Sequence, residues 1–236
     1  IGLSLVGSEM CIRDRLWIKE NIFNYKGNEN SIAVTGDSAG AYISAMIVNS
    51  GNKIATSGSF SDHLCITPSY VPESITAEDV KNQNLLDVQA AVLSYGAYNL
   101  YSSALKGIFE TRKNPFWTLA LSKPRGVFGN NFNAQENSEM YKAVSPIYNI
   151  PNIDERKLPP QFITSASEDR VTPVHAIEEY VKALKDAGQE VTYWEYKDQR
   201  HAYLDSGKTF LSGNDFKRDA SPALKKIMNF LNSKLL

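Results

Sequence analysis

The pentapeptide Gly36-Asp37-Ser38-Ala39-Gly40 constrains the fold of this chain more than any other feature. It is a G-x-S-x-G run between two apolar segments of different character. Upstream, Ser31-Ile32-Ala33-Val34-Thr35 is short and β-branched, as a buried strand is, whereas Ala41 to Val48 suits a buried helix. A serine on a sharp strand-to-helix turn is a nucleophile elbow, its hydroxyl lifted clear of the sheet. The turn requires a strained backbone at Ser38, and the spacing predicts that a side chain at either glycine would collide with it. The same turn sets the Ala39 amide at a helix N-terminus, where an N–H without an intrahelical acceptor can stabilise an oxyanion.

Such a serine needs an acid and a base, in the chain order Ser, Asp, His. The chain has three histidines. His201 follows Glu190 to Tyr196, an alternating, strand-like segment, and lies in the polar loop after Lys197-Asp198-Gln199-Arg200. A loop after a strand's C-terminal end is where an open α/β sheet keeps its chemistry. His175 follows Thr172-Pro173, which reads as an N-cap and first helical residue, so it belongs to the first turn of a helix. His63 lies in a polar loop and reads as a surface or pocket-lining residue. For the acid, Gln161 to Ala166 reads as another strand, and Asp169 follows it on a separate strand end. Glu168 could serve in its place, while Asp198 and Asp205 share the loop of His201. The competing role for Asp169 is to cap the helix that begins near Pro173.

GDSAG, the segment Ser167-Glu168-Asp169-Arg170-Val171-Thr172-Pro173 and the loop Asp198-Gln199-Arg200-His201-Ala202-Tyr203 together resemble the α/β-hydrolase superfamily. The likeness is greatest to hormone-sensitive-lipase-like esterases and to acetyl or feruloyl esterases, and it extends from about Leu16 to the C-terminus. It implies a carboxylic-ester hydrolase with Ser38 as nucleophile, Asp169 as orienting acid, His201 as base and Ala39 as an oxyanion donor. The substrate implied is a small-molecule or polysaccharide-linked ester, with no cofactor and no metal. One departure is Ala41, where relatives often carry a further glycine. Relatives also place several strands and a His-Gly-Gly-Gly-like loop before the elbow, and this sequence has no His-Gly-Gly run. The resemblance therefore implies that the first strands and the second oxyanion donor are missing, leaving a fragment that is nearly inactive by itself.

Two other readings share these residues. A serine peptidase or amidase of the prolyl-oligopeptidase-like type has the same fold and triad, but shows an aromatic residue and paired glycines around its serine, where Asp37 and Ala39 flank Ser38. A non-catalytic binding module on the same fold usually lacks a triad member.

The opening residues resemble something else. Leu5 to Asp14 reads like the translation of a transposase-tagging adapter used in DNA library preparation, with Arg15 spanning the junction. On this reading residues 1–15 are non-native, and residues 16–236 are the C-terminal part of one α/β-hydrolase domain. Cys11 falls in the first segment, leaving Cys65 and no internal disulfide.

Composition is that of an ordinary globular domain, with 42% hydrophobic and 22% charged residues. A net charge of −1 gives no support for nucleic-acid or anionic-membrane binding. No apolar run approaches the roughly eighteen residues that span a bilayer. Localisation and oligomeric state are left open. Strand-like and helix-like segments alternate, which predicts an α/β fold with a mainly parallel sheet covered on both faces. Helices are expected at Leu16 to Lys26, Pro173 to Ala187 and Pro222 to Leu231, the last with Leu224, Ile227, Met228 and Leu231 inward. Val88 to Tyr95 is expected as a further strand. Ser57 to Asn84 reads as a long polar connection. By position, the stretch from about 99 to 149 resembles a cap insertion, its aromatics (Tyr101, Phe109, Phe116, Trp117, Phe128, Tyr141) mostly forming a core of its own.

Overall fold

The computed structural model describes residues 3–52, 70–73, 75–107, 128, 132–205 and 214–236. His63, Cys65, Phe109, Phe116 and Trp117 lie outside these residues. Four strands form the sheet, β1 (Ala33–Asp37), β2 (Ala90–Ser94), β3 (Gln161–Ala166) and β4 (Val191–Tyr196), in that spatial order and all parallel. Every residue of β2 and β3 is buried. That is the signature of strands covered on both faces, and it explains their unbroken apolar or small-polar sequences. β1 and β4 are the edges of the described sheet, and Thr35, Asp37 and Thr192 are exposed.

Side chains alternate across the sheet, and each set meets its own helices. Ala91, Leu93 and Ile163 face α2 (Ala39–Ser50) through Ala41, Ala45 and Val48, and also face Ile177, Tyr180, Val181 and Leu184 of α6 (Val174–Asp186). Ala90, Val92 and Phe162 face the opposite way, onto Ile227 and Phe230 of α7 (Ser221–Leu235). Each large side chain so buried contributes about 1.5–3 kcal/mol of transfer free energy.

Helix α1 runs from Leu3 to Asn21, longer than the segment expected from Leu16, and passes directly into a 3₁₀ turn at Ile22–Tyr25. It crosses the boundary proposed at Arg15, and its Ile12 and Leu16 pack with Val80 and Leu86. The chain leaves the 3₁₀ turn through Lys26, in the left-handed region at φ 62°, just before Gly27.

Three expectations need correction. The polar connection contains a short helix, α3 (Ala77–Asn82), started by a capping box in which the Thr76 hydroxyl accepts from the Asp79 amide and the Asp79 carboxylate accepts from the Thr76 amide. Helix α7 buries Ala223, Ile227 and Phe230, whereas Leu224 and Met228 are 38% and 57% exposed. Both stripes are apolar, and the sheet selects the one whose Phe230 stacks on Phe162, ring centroids 5.4 Å apart. Thr172 is not the N-cap of α6; Pro173 holds that position without a side-chain bond, and the Thr172 hydroxyl is engaged elsewhere.

The described part of residues 99–149 includes α4 (Leu100–Leu105) and α5 (Ser138–Ala143). Leu100, Met140 and Val144 form a small core with Tyr42, joined by Phe128 and Phe132. Among the described residues no helix is long and apolar enough to cross a membrane.

Candidate active site

The strand register brings the carboxyl ends of the strands together: Asp37 pairs with Ser94, Ser94 with Thr164, and Ala166 with Tyr196. The loops that follow carry Ser38, Tyr95, Asp169 and His201.

Ser38 sits at φ 49°, ψ −115°, between β1 and α2. A non-glycine residue in that region costs on the order of 1–3 kcal/mol, so the surroundings must impose it. The Ser38 amide donates to the Ser94 carbonyl at 2.9 Å, continuing the sheet ladder, and its carbonyl accepts from the Tyr42 amide at 3.2 Å, starting the helix. A Cβ on Gly36 would lie 2.3 Å from the carbonyl carbon and oxygen of Gly40, so the turn closes only over a glycine there. Gly40 differs from expectation, because a Cβ there meets nothing within 4 Å. The predicted collision therefore holds on one side of the serine only. Ala39 is the first residue of α2 and is exposed, and the first amides of a helix lack intrahelical acceptors.

The Ser38 hydroxyl lies 2.8 Å from Nε2 of His201, and Nδ1 of His201 lies 2.7 Å from Oδ2 of Asp169. The Asp169 side chain is fully buried and His201 is 19% exposed. Asp169 also accepts from the Val171 and Thr172 amides on Oδ1 and from the Thr172 hydroxyl on Oδ2. Burial pushes its carboxyl up, but the bonds from His201 and Thr172 outweigh that and hold it below its usual value of 3.8. It is therefore ionised and accepts only, so Nδ1 carries the hydrogen and Nε2 is left with a lone pair facing Ser38. The helix-capping role considered for Asp169 is not taken up, because α6 starts at Val174 with no side-chain cap; Oδ1 instead holds the Val171 and Thr172 amides of the preceding turn, while Oδ2 holds the imidazole.

The loop of His201 is held on both sides. The Glu168 amide donates to the Gln199 carbonyl and the Asp198 amide to the Ser167 hydroxyl, both at 2.8 Å. Asn214 donates to the Ala202 carbonyl at 2.7 Å. Asp198 and Ala202 have positive φ, 58° and 64°, which lets the loop reverse tightly on either side of the histidine. Exposed Glu168 pairs with Arg200 at 3.4 Å, and His175 is exposed in the first turn of α6. An open depression of about 760 Å³ beside His201 and Asp169 is lined by Glu168, Arg170, Val171 and Arg200 as well. Among the described residues no cluster of side chains suits a metal ion.

Two residues at this centre escaped the sequence reading. Thr172, before Pro173, reads locally as a cap. Tyr95 ends the expected strand, with no local pattern to separate it from an ordinary core tyrosine.

Comparison with known proteins places this arrangement in context. Esterase LipQ of Mycobacterium tuberculosis is 28% identical over 188 residues, which is 79% of this chain and 36% of that protein. The chain thus spans about a third of the length of this curated relative. Among solved structures, a truncated carbohydrate esterase from gut microbiota superposes with a TM-score of 0.66 at 16% identity, over 96% of this chain and 67% of that one. An acylaminoacyl peptidase of Pyrococcus horikoshii does so with a TM-score of 0.56 at 18% identity, over 92% of this chain and 26% of that one. At such identities both likenesses speak for the fold. The family model for the α/β hydrolase fold matches residues 7–205, and on that match the chain belongs to the α/β-hydrolase fold family.

Proposed function

We propose that the chain carries the reacting centre of a carboxylic-ester hydrolase, with Ser38 as nucleophile, His201 as general base and acid, Asp169 as orienting acid and the Ala39 amide as an oxyanion donor. The observation that supports this is the continuous chain of short contacts from Ser38 Oγ to His201 Nε2 and from His201 Nδ1 to Asp169 Oδ2. The substrate class is a small-molecule or polysaccharide-linked ester, in keeping with the esterase and the carbohydrate esterase that the chain resembles.

Ser38 Oγ attacks the ester carbonyl as its proton passes to His201 Nε2, and the carbonyl oxygen gathers negative charge facing the Ala39 N–H. The carbon–oxygen bond to the alcohol then breaks, and His201 returns its proton to the leaving oxygen. Water, deprotonated by the same nitrogen, attacks the acyl-enzyme and regenerates Ser38. Asp169 stays ionised throughout, because its task is to hold the tautomer and stabilise the imidazolium.

A fluorophosphonate probe tests the centre without requiring turnover, since it captures an activated serine. The expected result is a single adduct mapped by peptide mass spectrometry to Ser38, absent in Ser38→Ala and at least about 10³-fold slower in His201→Ala. A folded wild-type chain that takes no adduct at Ser38 would sink the reading. Parallel assays on p-nitrophenyl acetate and an N-acyl anilide separate the esterase from the peptidase or amidase alternative.

A further inference from the structure

One buried residue outside the loops of Ser38, Asp169 and His201 reaches all three, through its side chain to Asp37 and His201 and through its carbonyl to Thr172. Tyr95 directly follows β2, the strand between the elbow strand and the acid strand, and it is fully buried. Its backbone is in the left-handed region at φ 40°, with its amide donating to Thr164 O at 2.9 Å. The Tyr95 carbonyl lies 3.0 Å from the Thr172 hydroxyl, which is also 2.8 Å from Asp169 Oδ2 and 3.3 Å from His201 Nδ1. The ring meets the imidazole edge to face, centroids 5.0 Å apart, and is backed by Tyr203 at 4.7 Å. Its hydroxyl donates to Asp37, the residue before Ser38, at 3.2 Å.

We infer that Tyr95 is a positioning residue: it holds the elbow, the acid loop and the imidazole in one register while contacting no reacting atom. The ring is a wall that stops the imidazole from swinging off the line between Ser38 and Asp169. Rotation of His201 toward it would break both short bonds, and Tyr203 keeps the ring from yielding. Burial, with the Asp37 charge and Tyr203 beside it, pushes the phenol far above its usual value. The hydroxyl therefore stays protonated and donates to Asp37. The carbonyl has a different part, because the Thr172 hydroxyl owns one hydrogen and has two acceptors in reach, the Tyr95 carbonyl and the Asp169 carboxylate. Thr172 is held between them, and Asp169 is held with it.

This inference rests on the reading of Ser38 and His201 given above, so its test needs a readout that survives the failure of that reading. Tyr95→Phe keeps the wall and loses the bond to Asp37; Tyr95→Leu removes the wall. The first readout is the ¹H NMR resonance of the His201 Nδ1 proton shared with Asp169, assigned by its loss in His201→Ala. It should persist in Tyr95→Phe and shift or broaden in Tyr95→Leu. The second is the saturation kinetics of fluorophosphonate labelling at Ser38. The maximal rate should fall about threefold in Tyr95→Phe and about 10²-fold in Tyr95→Leu, with the half-saturating probe concentration unchanged, as expected when a 1 Å misplacement impairs reaction more than binding. Asp37→Ala and Tyr95→Phe both remove the Tyr95–Asp37 bond, and Tyr95→Phe also removes the bond between the phenol and the Leu204 backbone, so the double variant should lose less than the sum of the two.

A resonance and a labelling rate in Tyr95→Leu within twofold of wild type would overturn the inference and leave Tyr95 as core filling. If Tyr95→Leu does not fold, the non-additivity of Tyr95→Phe and Asp37→Ala decides, additive losses counting against it. If the label maps away from Ser38, the proposed function fails, and the His201 resonance still decides the role of Tyr95.

Discussion

The two ends of the parallel sheet bury polar side chains with opposite outcomes. At the amino ends, Gln189 donates to the Pro151 and Arg156 carbonyls and accepts from the Leu158 amide, all within 3.0 Å. Arg156 donates to the Val48 and Asn49 carbonyls at the C-terminus of α2, where orphan carbonyls and the helix dipole favour a cation. Arg156 lines a cavity of about 420 Å³. The two side chains join loops and helix ends to the sheet. At the carboxyl ends Asp169 is equally well satisfied, but the chain of bonds it begins runs through His201 to the Ser38 hydroxyl. Buried polar groups alone therefore do not mark a site. The proposed site differs in that a buried carboxylate ends, through a half-buried imidazole, on a serine in a strained backbone conformation.

The largest test of this contrast is Asp169→Asn. An amide can present its NH₂ to Nδ1 and favour the wrong tautomer, so Ser38 labelling should slow by about 10⁴-fold. A loss below tenfold would put Asp169 on the same footing as Gln189. Next is the pair of elbow glycines. Gly36→Ala must push a Cβ into the Gly40 backbone and should cost about 3 kcal/mol or more in urea unfolding. Gly40→Ala sits in open space within α2 and should stabilise by about 0.5–1 kcal/mol. Equal losses would mean that the turn tolerates neither side chain. Gln189→Ala leaves an amide and two carbonyls without their partner and should cost about 1–3 kcal/mol. Labelling of Ser38 by the folded fraction should not change; a slowing comparable to that of Asp169→Asn would break the contrast.

The smallest effect concerns Asp219, which ties the turn before α7 to the loop of His201 through Gln199. The Arg218 bond outweighs the cost of burial and lowers its carboxyl from 3.8 to about 2, with the Asp215 amide assisting. A carboxylate with a depressed folded value contributes stability above its unfolded value and loses it as pH falls through the folded one. Wild type should therefore lose stability between pH 3.8 and about 2, and Asp219→Asn should lose less over that window. Identical acid unfolding curves would remove Asp219 from the account.

Much of the site could be read locally, and particular residues show why. Ser38 is announced by five contiguous residues with a strand before and a helix after. Asp169 could be preferred to Asp198 and Asp205 because a separate strand end can face the loop of His201 in a parallel sheet. Where the reading failed, two local patterns competed. In α7 the Leu224–Met228 row and the Ala223–Ile227–Phe230 row are both apolar, and Phe162, far away in sequence, selects between them. At Thr172 a cap and a carboxylate partner use the same hydroxyl, and the nearness of Asp169 and Tyr95 decides its use.

By itself, then, the sequence determined the four strands and the elbow, and singled out Ser38, Asp169 and His201 as the proposed reacting side chains, because strand period, turn sterics and residue type act over a few neighbours. Only the tertiary structure decided that Gly36 is indispensable sterically while Gly40 is not, and which face of α7 is inward. It alone placed Tyr95 against both Asp37 and His201. These are distances between residues tens of positions apart, and they are set when the strand ends come level in the packed sheet.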